Sequence, residues 1–299
     1  MAPVRFSPSA GPASAEITGI YEPDTGSIQY VCACPQTRKC ALIDVVLDFD
    51  PKSAATSTKA MDEVLGVVED NGYEVEWILD THPHADHFMA SATLKEKLGV
   101  PNAIGEKVRE IAGLWRDYYH LPGAFEVERH FDRLFGDGDT FSIGELPVRV
   151  KLSPGHTLGS ITYVVGEDAA FVHDTFMQPD AGTSRADFPG GSASDLYDSL
   201  MAILSLPDET RLFIGHDYGT DERPEPAWQS SVAVQREQNI HVGGGVLKQD
   251  YVERREKRDA TLSLPERMLH ALQVNLRGGS LPDPEADGHR YLKIPLNRF

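Results

Sequence analysis

The sequence predicts an α/β protein made of two packed sheets with helices outside. Strand-like runs alternate with helical periodicity over residues 17–104, hairpin-like runs fill 147–172, and the alternation returns over 193–214. A helical tail closes the chain.

Residues 1–16 are rich in Pro, Ser, Ala and Gly and show no periodicity, so they read as a flexible leader. Residues 28–33 and 40–46 are β-rich runs around the loop 35–39, which is a hairpin pattern. Residues 53–70 place Met61, Leu65 and Val68 at helical spacing and stop at Asn71-Gly72, a C-cap signal. A short strand over 75–79, a helix over 88–98 and a strand over 101–104 continue a β-α-β rhythm. Beyond Asp137-Gly138-Asp139, strands are expected over 147–152, 160–165 and 169–172, the last two joined by a turn at 166–168. A helix over 193–204 and a strand over 211–214 complete the main domain, assigned to 17–225. Helices are expected over 228–240, 248–258 and 265–274, so 226–299 is an extension packed on the core, too small to stand alone securely.

The chain has 299 residues, and 28 Lys+Arg against 46 Asp+Glu leave a formal charge of −18. Such a surface repels phosphate backbones and anionic membranes, which excludes nucleic acid as a partner. No apolar run approaches the roughly 18 to 20 residues of a membrane span, and the leader lacks the apolar region of a secretory signal, so a cytoplasmic protein is expected. Cys32, Cys34 and Cys40 are too few and too close for a disulfide framework and read as small buried hydrophobes. Gly243-Gly244-Gly245 lacks the strand-to-helix setting of a phosphate loop and reads as a hinge.

The chemistry concentrates behind the strand 75–79. There Asp80-Thr81-His82-Pro83-His84-Ala85-Asp86-His87 sets three imidazoles and a carboxylate within six residues at the carboxyl end of a strand. A lone histidine is usually a packing or surface residue, but three together in such a loop point to metal. His156, Asp174 and His216 each lie where another strand gives out and complete the cluster. Asp44, in an early strand, is placed to hydrogen-bond a ligand histidine or to face solvent. His173 precedes Asp174 and should face away from the ion by strand alternation, unless a bulge turns it inward as a further ligand or proton relay.

His-x-His-x-Asp-His, then Gly155-His156-Thr157, a strand-ending Asp174 and a strand-ending His216 resemble the metallo-β-lactamase superfamily over about residues 17–220. The resemblance implies an αββα sandwich with the site at one edge of the sheets. It also implies two metal positions: His82, His84 and His156 around one, Asp86, His87 and His216 around the other, with Asp174 reaching both. Adding Arg185-Ala186-Asp187-Phe188 and Gly215-His216-Asp217-Tyr218, the chain resembles the persulfide dioxygenases. A weaker likeness extends through Val274-Asn275-Leu276-Arg277-Gly278-Gly279 and 291–297.

That family implies one Fe(II) per chain, held by His82, His156 and Asp174, converting glutathione persulfide and O2 to sulfite and glutathione. Two histidines and a carboxylate on one face leave coordination positions open for both reactants. His84, Asp86, His87 and His216 would then orient the ligands. Alternatively they hold a second ion, giving a binuclear Zn2+ hydrolase of glyoxalase II-like thioesterase, lactonase or phosphodiesterase type. For the anionic substrate the family implies Arg185, with Thr157 and Tyr218 as further contacts; a surface ion pair with Asp187 is the plain reading of Arg185. Arg277 and Lys293 read equally well as structural. A symmetric homodimer is the commonest assembly and the expected one.

Overall fold

A computed structural model describes residues 3–299. The first half of the chain runs β1 (Val4–Ser7), β2 (Glu16–Glu22), β3 (Ser27–Ala33), β4 (Lys39–Ile43), β5 (Val46–Asp50), β6 (Ala55–Ser57), α1 (Lys59–Asn71) and β7 (Glu74–Leu79). It continues with β8 (Phe88–Met89), α2 (Ser91–Leu98), β9 (Asn102–Gly105), α3 (Val108–Tyr119), α4 (Val127–His130) and β10 (Arg133–Phe135). The second half comprises β11 (Thr140–Ile143), β12 (Leu146–Leu152), β13 (Ile161–Val165), β14 (Ala169–His173), α5 (Ala193–Leu204), β15 (Arg211–Ile214) and β16 (Gln229–Ser231). The tail adds α6 (Val232–Gln238), α7 (Lys248–Asp259) and α8 (Met268–Asn275).

Two large sheets result, ordered β1-β2-β3-β4-β7-β9-β10 and β11-β12-β13-β14-β15-β16, and β6-β5-β8 form a third, small one. Strand alternation sorts their side chains. Tyr30, Cys32 and Ile43 of the first sheet join Val148, Val150, Tyr163 and Phe171 of the second in one cluster between the layers. Val31, Leu42 and Ile78, on the opposite face of the first sheet, pack with Met61 and Val64 of α1 and Leu94 of α2. On the second sheet, Ala170, Val172 and Leu212 share a cluster with Leu196, Leu200 and Ile203 of α5. This is the expected αββα sandwich.

The structure corrects several expected boundaries. Of the leader, Met1 and Ala2 lie outside the described residues. Val4–Ser7 is not flexible but pairs antiparallel with β2, because the Gly11–Ser14 turn returns the chain to the sheet edge. The expected helix over 53–70 begins only at Lys59; residues 55–57 pair with β5 instead. Its end is as expected, with Gly72 left-handed at φ 62°. The expected helix over 88–98 begins at Ser91, and the strand expected over 40–46 ends at Ile43, where Asp44 turns to φ 51°. Helix α3 was not anticipated, although Val108, Ile111, Ala112, Trp115 and Tyr119 form a buried stripe at its spacing.

All three cysteines are unpaired and fully buried in β3, β4 and the turn between them. Burial pushes the Cys40 thiol up to about 12, and Cys32 higher still. Neither is a nucleophile near neutral pH. No helix among the described residues is long and apolar enough to cross a membrane.

The tail docks on the core through buried polar side chains. Asn275, fully buried at the end of α8, donates from Nδ2 to the carbonyls of His84 (2.7 Å) and His87 (2.8 Å), and its Oδ1 accepts from Met89 N (2.8 Å). One amide thus satisfies three backbone groups of a loop that has little ladder of its own. His241 Nδ1 accepts from Thr183 N at 2.9 Å, and burial followed by the charges of Arg255, Arg254 and Arg258 pushes its pKa down to about 4.

Two outcomes are expected. Asn275→Ala strands buried carbonyls and an amide at about 1–3 kcal/mol each, so denaturant titration should show a loss of at least about 2 kcal/mol. For His241 the neutral ring is favoured in the folded chain. The stability it provides is present above its ordinary value of 6.5 and is lost as pH falls toward 4. In His241→Gln, the fall of Tm between pH 7 and pH 4 should therefore be shallower than in the parent chain.

Candidate metal centre

Strands β7, β14 and β15 and the β12–β13 connection all end at one edge of the sandwich, and each delivers part of the cluster. The loop after β7 carries His82, His84, Asp86 and His87; the connection after β12 carries His156; Asp174 follows β14; His216 follows β15. All five histidines and Asp174 are at most 6% exposed. Two glycines permit the approach. A Cβ on Gly215 would lie 2.5 Å from Asp174 Oδ1, and Gly155, at φ 130°, would drive one into the Leu196 backbone at 2.2 Å.

His82, His156 and Asp174 place one ligand atom each within 4.8 Å of one another. Asp174 Oδ2 lies 3.7 Å from His82 Nε2 and 3.4 Å from His156 Nε2. Two bonds of about 2.1 Å at tetrahedral or octahedral angles span roughly 3.0–3.4 Å, so these atoms sit close to the spacing of a shared ion. The hydrogen bonds behind them decide the tautomers. Thr81 Oγ1 donates its only proton to Asp44 Oδ2 at 2.8 Å, so His82 Nδ1, 3.1 Å away, must donate to Thr81. His156 Nδ1 faces the Arg185 carbonyl at 2.9 Å and must likewise donate. Each Nε2 is left with a lone pair, and His82 Nε2 has no hydrogen-bond partner among the described residues. Burial, then the neighbouring His84 and His156 charges, hold His82 well below its ordinary pKa. A neutral imidazole is the form that binds metal.

Asp174 divides its two oxygens. Oδ1 accepts from His216 Nδ1 at 2.6 Å, leaving Oδ2 toward the histidines. Burial alone would raise this carboxyl, but the His216 charge and hydrogen bond hold it well below the usual carboxylate range. His216 is bound on its other side as well, Nε2 to Asp86 Oδ2 at 2.7 Å. Burial opposes its protonation, yet the flanking Asp174 and Asp86 charges raise its pKa well above 6.5. A ring that donates from both nitrogens has no lone pair for an ion. The second cluster, His84, Asp86 and His87, is paired only in part: His84 Nδ1 and His87 Nε2 have no hydrogen-bond partner among the described residues. Asp86 Oδ2 meets His87 Nδ1 at 2.9 Å, and Ser27 Oγ lies 3.0–3.1 Å from Asp86 Oδ2, His87 Nδ1 and His216 Nε2. Asp44 stands behind His84, Oδ1 to Nε2 at 3.1 Å, the histidine-supporting place foreseen for it.

His173 departs from strand alternation. The register between β14 and β15 shifts between Phe171 and His173, and His173 adopts φ 40°. The bulge turns its ring to 5.2 Å from that of His82 and its Nε2 to 3.0 Å from Thr175 Oγ1, so it does not face away from the site. Burial pushes it down to about 3, which keeps it neutral.

The three residues assigned to substrate lie on different sides. Arg185 grips Asp187 with Nε (2.6 Å) and Nη2 (2.7 Å) and gives Nη1 to the Ser263 carbonyl at 2.7 Å. Its guanidinium also covers the Phe188 ring, which abuts His156. Thr157 bonds Ser160 and, with Phe188, Pro83 and Ala85, lines a small apolar hollow. Tyr218 is exposed and stacks on the far side of His216. A larger cleft of about 660 Å³ reaches the centre at His87, between the β2–β3 turn and the β5–β6 hairpin. Sequence reasoning missed Ser27, Thr81 and Ser184, since single hydroxyls carry no spacing signal. Asn275 lay in a quoted motif without an assigned role.

Comparison with known proteins agrees with the geometry. Residues 30–216 match the Metallo-beta-lactamase superfamily. A Beta-lactamase hydrolase-like protein of Xylella fastidiosa is 56% identical over 94% of this chain, which spans 64% of that relative's length. Glyoxylase B2 of Dictyostelium discoideum is 40% identical over 95% of this chain and 97% of its own. The crystal structure of ETHE1 from Myxococcus xanthus superposes with a TM-score of 0.70 at 27% identity, covering 88% of this chain and 99% of that one. With the ligand loop, the sandwich and these relatives in agreement, the chain belongs to the metallo-β-lactamase superfamily.

Proposed function

We propose that this chain is a mononuclear Fe(II) persulfide dioxygenase acting on glutathione persulfide. The observation that supports this reading is the pair of tautomer-fixed Nε2 atoms facing Asp174 Oδ2 while both nitrogens of His216 are held by carboxylates and Asp86 is bound to His87 Nδ1 and His216. Two histidines and one carboxylate suit a single non-haem iron. The likeness to ETHE1, a persulfide dioxygenase, favours the same chemistry. The hydrolytic alternative, a binuclear Zn2+ thioesterase, is favoured by the Glyoxylase B2 relative. It would need His216 to surrender its bond to Asp86 and its proton.

The donor set fits the ion: His82 Nε2 is a buried lone pair without a partner, and Asp174 supplies the anionic ligand. His82, His156 and Asp174 would hold it. Bound there, iron supplies open coordination positions and the redox capacity by which O2 oxidises sulfane sulfur. Glutathione persulfide, O2 and water then give glutathione, sulfite and two protons. Around this the chain works by position. Thr81 and the Arg185 carbonyl keep both imidazoles neutral and aimed, and His216 keeps Asp174 from rotating. Phe188 shields the edge of His156 from water. Arg185, with two of its five N–H groups beyond those held by Asp187 and Ser263, receives a glutathione carboxylate. The fully buried thiols of β3 and β4 supply no competing nucleophile.

Metal analysis and an oxygen electrode test this directly. One iron per chain with O2 uptake on glutathione persulfide is expected; two zinc ions with thioester cleavage would overturn it. Asp174→Ala removes the anionic ligand and should leave less than about a tenth of the metal and no turnover. Arg185→Ala should raise KM about tenfold with kcat little changed, if the contact is common to ground and transition states. An unaltered KM would restrict Arg185 to its pairing with Asp187.

A further inference from the structure

Residues 183–186 lie in no helix or strand, yet they touch two of the three residues in the converging trio. The Arg185 carbonyl fixes His156 Nδ1. Ser184 Oγ lies 3.1 Å from the same nitrogen and donates to the backbone carbonyl of Asp174. What holds this segment comes from the tail. Arg255 Nη1 donates to the Thr183 carbonyl at 2.9 Å, and Asp259 Oδ2 accepts from Ala186 N at 2.9 Å. Arg255 and Asp259, one turn apart on α7, are paired to each other at 2.7–2.9 Å and are 5% and 3% exposed.

A fully buried ion pair is a poor device for stability. Its desolvation offsets its attraction, and apolar residues of like volume often serve as well or better. Beyond their own pairing, each partner makes one hydrogen bond to an opposite end of one tetrapeptide. We propose that Arg255 and Asp259 are positioning residues of the metal centre: their ion pair clamps residues 183–186 so that the Arg185 carbonyl holds His156 in its ligating tautomer and orientation. The inference rests on His156 being a metal ligand. It extends the centre from the sandwich into α7, and it predicts that metal affinity can be lost through residues that never meet the ion. Nη1 of Arg185 is tied to Ser263, just past the same helix, so the clamp also sets where the guanidinium stands.

The test is the double variant Arg255→Met/Asp259→Leu, which removes both charges together and so leaves no unpaired ion in the core. Co(II) titration, followed by its visible absorption, is compared with the parent chain, along with the Tm of the metal-free forms. Affinity weaker by about 10- to 100-fold and an altered Co(II) spectrum are expected, with metal-free Tm little changed. Affinity and spectrum equal to the parent's would overturn the proposal and leave the pair a packing feature. If the double variant does not fold, Asp259→Asn replaces it. Its amide keeps the shape but weakens the grip on Arg255, and a smaller loss of affinity supports the clamp where none refutes it. Should the parent chain carry two zinc ions and cleave thioesters, the iron dioxygenase reading fails. The comparison still decides the clamp, because His156 would be a ligand in either centre.

Discussion

A single buried carboxylate, Asp174, ties the two sheets into one centre. Its Oδ1 is held by His216 from β15, its Oδ2 faces histidines delivered by the first sheet and by the β12–β13 connection, and its main-chain carbonyl is held by Ser184. A buried anion without such partners would be prohibitively costly. The close passage at Gly215 and the bulge at His173 both serve to place it: one clears the space, the other redirects the strand end. Displacing any of these contacts moves the charge on which the others are arranged.

The two halves of the histidine loop are treated differently by their surroundings. Around His82 and His156 the neighbours are a hydroxyl with its proton committed elsewhere and a carbonyl, both of which can only accept. They leave lone pairs on the inner nitrogens. Around Asp86, His216 and the Nδ1 of His87 the neighbours are one another and Ser27, so these atoms are paired within the group, while His87 Nε2 has no partner among the described residues. The same residue types thus leave two lone pairs facing Asp174 on one side and form a partly paired polar network on the other. The difference lies in hydrogen-bond polarity rather than in composition.

This contrast bears on what the sequence could disclose. The sandwich was legible because alternation in 147–172 and the β-α-β rhythm before it fix layers, and helix α5 and strand β15 fall where periodicity puts them. The histidine and carboxylate cluster was legible because imidazoles crowd at strand ends. Three things were not. β1 is short, mostly exposed and stabilised only by its partner strand, so it carries no apolar pattern of its own. His173 obeys a register shift that no local propensity encodes. The roles of Ser27, Thr81, Asn275, Arg255 and Asp259 depend on which backbone atoms they meet across long sequence separations, and residue identity alone does not reveal that.

The three cysteines show what the sandwich protects. They sit within the β3–β4 hairpin, sealed from solvent, with Cys32 and Cys40 held protonated by an apolar surround. Sulfur transfer and peroxide attack both begin with a thiolate, so these two are chemically silent toward either reagent in the folded state. Burial thereby spares these two side chains modification, and only opening of the hairpin would expose them to damage.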